Sequence, residues 1–134
     1  MSVKPQTITP NRANWRAAIL VCRKCQKKLG NEGFGPKGDK SLSKAMKRAV
    51  KDSPAGQGVK LKGRRAPVGI VEVDCLKLCP KRGVTVVSSA DPARWLVAGV
   101  GASAEAVLLE AGVDLAKPAP SRRNLVIVGQ APPR

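Results

Sequence analysis

Four cysteines stand in two tight pairs, Cys22-Arg-Lys-Cys25 and Cys75-Leu-Lys-Leu-Cys79, and each pair follows at once on an apolar run. Ala17 to Val21 leads into Cys22; Val68, Ile70, Val71 and Val73 lead into Cys75. Short unbroken apolar runs are typical of strands buried on both faces. Two residues between cysteines let the chain curl so that both sulfurs meet one ion, and three do so with a wider loop. Parallel, adjacent strands would release both loops at one edge of a sheet. The spacing therefore predicts one shared metal site on Cys22, Cys25, Cys75 and Cys79. Pro80 sets φ after the last of them and helps hold that loop. Three plainer explanations compete. A redox CxxC leaves Cys75 and Cys79 unexplained. Inert core thiols fit poorly in basic loops flanked by Gly and Pro. Disulfides fit poorly with a reducing cytoplasm. Four thiolates suit zinc and iron–sulfur clusters alike.

The rest of the composition narrows the chemistry. There is no histidine, which removes Cys2His2 zinc sites, Rieske-type clusters and histidine acid–base catalysis. The expectation is a protein that is not an enzyme. At 134 residues the chain suits one domain with tails. Trp15, Phe34 and Trp95 are its only aromatic residues, so the core must be built from Val, Leu, Ile and Ala. Residues 1–14 are polar and lack the apolar stretch of a signal peptide. No apolar run is long enough to span a bilayer. The expected location is cytoplasmic, without membrane attachment.

Hydrophobic periodicity gives a β-α-β-β-β-α order. Strands are expected at Trp15–Val21, Pro67–Asp74, Val84–Ser88 and Arg94–Val100, the last two forming a hairpin across the Ala90–Ala93 turn. Residues 22–40 are expected to be a loop, broken by Gly30, Gly33, Gly35, Pro36 and Gly38. A helix over Ser41–Lys51 carries Leu42, Ala45, Met46, Ala49 and Val50 on one stripe, with Ser41 as N-cap. A short edge strand is expected at Val59–Lys62. The last helix, Ser103–Ala111, has Ser103 as N-cap and Gly112 at C′. The first crossover should join parallel strands. Residues 1–14 read as a disordered basic lead, 15–113 as the domain, and 114–134 as a Pro-rich basic tail in which Leu125–Gly129 offers an extra strand.

From Ile19 to Ala111 the chain resembles the thioredoxin-like [2Fe–2S] ferredoxins, and looks closest to a related bacterial family of predicted metal-binding proteins. The resemblance is carried by Ile19-Leu20-Val21-Cys22-Arg23-Lys24-Cys25, by Val73-Asp74-Cys75-Leu76-Lys77-Leu78-Cys79-Pro80-Lys81-Arg82-Gly83-Val84-Thr85-Val86, and by the hairpin through Trp95. It implies a small mixed sheet of the thioredoxin type with helices packed on it. It also implies a [2Fe–2S] cluster on all four cysteines and electron transfer, often as a homodimer. The first cysteine pair is more widely spaced in the well-known ferredoxins of this type. Cys22 and Cys25 have only two residues between them, as in the metal-binding branch.

The formal net charge is +16, which favours acidic partners. Arg23, Lys24, Lys27, Lys28, Lys77, Lys81 and Arg82 flank the cysteines. As a solvated basic face they need no further role. As a functional rim they would lower thiolate pKa values and steer an acidic redox partner. Zinc is the alternative cofactor on the same thiolates, and a protein that handles a soft metal there, as chaperone or sensor, is an alternative function. A zinc-stapled nucleic-acid module is the competing class, and the basic tails suit non-specific phosphate binding. No recognition helix is apparent, and stacking aromatics are few.

Overall fold

A computed structural model describes residues 8–116 of the chain. It is a small mixed α/β domain with three α-helices and a four-stranded sheet. The strands are β1 (Ala18–Cys22), β2 (Gly69–Val73), β3 (Gly83–Ser88) and β4 (Leu96–Gly99), in the order β2-β1-β3-β4. β1 and β2 are parallel, with Ile19 opposite Ile70 and Cys22 opposite Val73. β3 runs antiparallel to both of its neighbours and forms the expected hairpin with β4. The parallel β1–β2 pair brings both cysteine loops to one edge, because Cys22 ends one strand and Cys75 follows the other by two residues.

Ile19, Val21, Val84 and Val86 lie on one face of the sheet and are fully buried. Helices α2 (Leu42–Lys51) and α3 (Ala104–Glu110) pack together over that face. The stripe read from the sequence is the buried one: Leu42, Ala45, Met46, Ala49 and Val50 all face inward. Full burial of side chains such as Leu42 and Met46 contributes roughly 1.5–3 kcal/mol each. Ser41 and Ser103 cap these helices as expected, accepting from the amides of Lys44 and Ala106. Gly112 closes α3 at a φ of +93°, which a side chain would strain.

Two expectations differ from the structure. Residues 22–40 are not loop throughout, because α1 occupies Arg23–Lys28. Its six residues are too few and too polar to show a periodic stripe, and only Cys25 and Gln26 are buried. Residues 59–62 form no strand. They run between Gly58 and Gly63, at φ of +70° and +69°, which turn the chain out of an extended path. The packed chain runs on to Leu115, whose carbonyl accepts the Ala55 amide. Leu125–Gly129 lies outside the described residues. Among the described residues no helix is long and apolar enough to cross a membrane.

Candidate metal centre

β1 delivers Cys22 to the start of α1, and one further turn delivers Cys25; both side chains are buried. Cys75 and Cys79 follow β2, the first half-buried and the second exposed. The two loops interlock. The Lys24 amide donates to the Asp74 carbonyl at 3.1 Å, and Arg23 pairs with the Asp74 carboxylate at 2.7 Å. The Cys25 thiol donates to the Leu78 carbonyl at 3.6 Å. The same carbonyl accepts the Thr85 hydroxyl at 2.8 Å. Each loop therefore supplies partners to the other.

The two inner thiols are electrostatically unequal. Burial pushes the Cys22 thiol up, but the amides of Cys25 and Leu76 and the Cys25 thiol outweigh it, so its pKa is lowered. Burial raises the Cys25 pKa, and the neighbouring Cys22 raises it further against the opposing amide of Thr85.

Behind α1 lies a polar network that the sequence reading missed. Gln26, almost wholly buried, donates to Glu72 and accepts the Ser43 amide, both at 2.8 Å. The Ser43 hydroxyl donates to the same carboxylate oxygen of Glu72 at 2.7 Å. These hydrogen bonds hold the Glu72 pKa below its usual range, with a smaller contribution from Lys47 and Arg23. A glutamine beside a cysteine carries no sequence signature of such a role.

The parallel strands bring the Cys22–Cys25 and Cys75–Cys79 loops to one edge, as expected of parallel neighbours, but the four cysteines that the spacing assigns to one shared site are not gathered at one point. Among the described residues no three His, Cys, Asp or Glu side chains are grouped to hold a metal ion. Cys75 accepts the Lys77 amide at 3.3 Å within its own loop. Lys77, inside that loop, and Arg82, three residues beyond Cys79, both sit in the left-handed region at φ of +66° and +53°. Such conformations are uncommon for residues with a Cβ and occur often at functional sites. In donor chemistry the set fits a soft metal: four sulfurs, no imidazole, and basic residues around them. The residues expected as a rim, Arg23, Lys24, Lys27, Lys28, Lys77, Lys81 and Arg82, are all exposed, with Arg23 committed to Asp74.

No protein-family model, curated protein or solved structure matches this chain.

Proposed function

We propose that this chain is a small, non-catalytic electron carrier in which Cys22, Cys25, Cys75 and Cys79 hold a [2Fe–2S] cluster. The observation that carries the reading is the interlock of the two cysteine loops at the ends of the parallel strands β1 and β2. The parallel crossover and the β3–β4 hairpin support the thioredoxin-like sheet that the resemblance implies. When bound, the cluster would supply one-electron transfer.

The chain's own residues do the rest. The amides of Cys25 and Leu76 stabilise sulfur as thiolate at Cys22, the form that binds metal. The Gln26–Glu72–Ser43 network fixes α1, and with it Cys25, against β2 and α2. Leu78 and Cys79 lie on the exposed loop, where electrons could enter or leave. The exposed Lys24, Lys27, Lys28, Lys77, Lys81 and Arg82 suit an acidic redox partner. Loading all four cysteines requires the Cys75–Cys79 loop to turn its sulfurs towards Cys22 and Cys25.

The second reading is a dithiol–disulfide couple on Cys22 and Cys25, favoured by their mutual contact and unequal pKa directions. Burial counts against it. Exchange needs a sulfur that a substrate disulfide can reach, and Cys22 and Cys25 are 0% and 2% exposed.

Anaerobic purification decides between the readings. A ferredoxin is red-brown, holds iron and acid-labile sulfide in equal amounts, and loses visible absorption with dithionite. A colourless protein with stoichiometric zinc shifts the assignment to the alternative metal. A metal-free protein that forms a reversible Cys22–Cys25 disulfide overturns the four-cysteine reading.

A further inference from the structure

A cleft of about 510 Å³ lies between α2 and β2, away from the cysteine loops. That size is within the usual range for small-molecule sites. Its floor is apolar, built from Trp15, Val68 and Ile70. Its rim is cationic: α2 contributes Lys44, Lys47, Arg48 and Lys51, and Lys40 and Lys62 add two more. None of the described lining residues is acidic.

Some of this charge is committed. Arg48 pairs with Asp52 at 3.0 Å, and Lys47 acts on the carboxylate of Glu72. Lys40, Lys44, Lys51 and Lys62 have no salt bridge among the described residues. The chain has nine acidic side chains, and among the described residues none of them forms a salt bridge with these four cations around one concavity.

Trp15 adds a second chemistry. Its indole nitrogen donates to the Gly63 carbonyl at 2.8 Å, which fixes the ring's direction. The ring rests on the backbone of Gly69, where a Cβ would overlap it. It is nonetheless 37% exposed. A large aromatic held in place and left partly open costs apolar exposure, and a flat ligand would recover it by stacking. Stacking on an aromatic face stabilises bound nucleic-acid bases in this way.

The geometry points to a binding site for a phosphorylated ligand with a flat aromatic body, of the nucleotide class. The phosphates fit the lysines of α2 and Lys62, and the aromatic body fits the exposed part of Trp15. Inorganic phosphate would satisfy only the rim, and a nucleoside only the floor. The concave, bounded shape favours a small ligand over a nucleic-acid strand, which tracks an open groove.

The test uses the full chain carrying Trp95→Phe, so that Trp15 alone reports by fluorescence. ADP, adenosine, inorganic phosphate and a short single-stranded oligonucleotide are titrated separately, with calorimetry alongside. The expected result is saturable ADP binding that quenches Trp15, with adenosine and phosphate each weaker by about tenfold or more. Lys44→Glu, an exposed substitution on α2, should weaken ADP by about tenfold. Lys37→Glu changes net charge equally outside the cleft and should leave it unchanged. Absent quenching, equal binding of phosphate and ADP, equal effects of the two substitutions, or an oligonucleotide bound much more tightly than ADP would each overturn the assignment.

Discussion

Gln26 donates through Nε2 to Glu72 Oε2 at 2.8 Å, and so ties the residue after the second cysteine to the strand that leads to the third. Because the Gln26 side-chain oxygen also accepts the Ser43 amide, one buried amide group joins α1, α2 and β2. Replacing it by a side chain of similar size but no polarity, Gln26→Leu, strands the Ser43 amide and one lone pair of Glu72. Leaving a buried donor unsatisfied costs about 1–3 kcal/mol. Chemical denaturation should show a loss of that order. If the cysteines hold metal, metal affinity should fall as well, since α1 would no longer be held in register.

Glu72 makes the same network sensitive to acid. Its folded-state pKa is depressed by the hydrogen bonds from Ser43 and Gln26, so the folded state binds its proton less readily than the unfolded chain. The stabilisation is therefore fully present above the unfolded glutamate pKa of about 4.3, and is lost as pH falls through the lower folded value. Wild type and Glu72→Gln should differ most at neutral pH, with the variant less stable by at most about 1 kcal/mol because solvent screens this exposed carboxylate, and should converge in strong acid. Melting curves from neutral pH down to acid check this. A difference that persists at the acid end would show that Glu72 acts through packing and not charge.

The sequence made the framework readable where periodicity or capping was strong. The stripe of α2, the serine caps at Ser41 and Ser103, and Gly112 at the end of α3 were each visible as local chemistry that the packing then exploited. The strands were readable as apolar runs, and the placement of both cysteine loops at one edge followed from the parallel β1–β2 pair. What sequence could not show was non-local. The α1 residues Arg, Lys and Gln are good helix formers, but six residues are too few to hold a helix alone, and α1 depends on the partners that Cys25 and Gln26 find on β2, α2 and β3. The Trp15 cleft depends on Gly63 and Gly69, far along the chain, and no spacing rule connects them. The expected strand at 59–62 failed for a local reason that was legible in principle, the glycines on either side.

The four cysteines differ in what each should do to the metal-free fold. Cys22 and Cys25 are buried in the core, whereas Cys79 is on the surface. A serine at position 22 or 25 places a hydroxyl where a thiol packed, and should lower the stability of the metal-free protein by about 1–3 kcal/mol. Cys79→Ser should leave metal-free stability within about 0.5 kcal/mol of wild type. On the four-ligand reading Cys75→Ser and Cys79→Ser should nonetheless lose bound metal as completely as Cys22→Ser, and with it the stabilisation that metal confers. Metal analysis and melts of both metal-free and loaded protein separate the two effects. Retention of full metal by Cys79→Ser would remove the outer pair from the site.

Trp15 and Gly69 should behave as a coupled pair. Gly69 has no positive φ, so an added methyl brings no backbone penalty and isolates the contact with the indole. Gly69→Ala must displace the ring or the strand, and overpacking of this kind costs about 1–3 kcal/mol. In a Trp15→Ala background the space is empty, and the same methyl should cost little. The double-mutant cycle should therefore give a coupling energy of about 1 kcal/mol or more, against the few tenths expected for residues that do not touch. With Trp95→Phe throughout, the emission of Trp15 should shift to the red in Gly69→Ala as the ring is pushed into solvent. Additive stabilities and an unchanged emission would mean that the indole does not rest on Gly69 in solution.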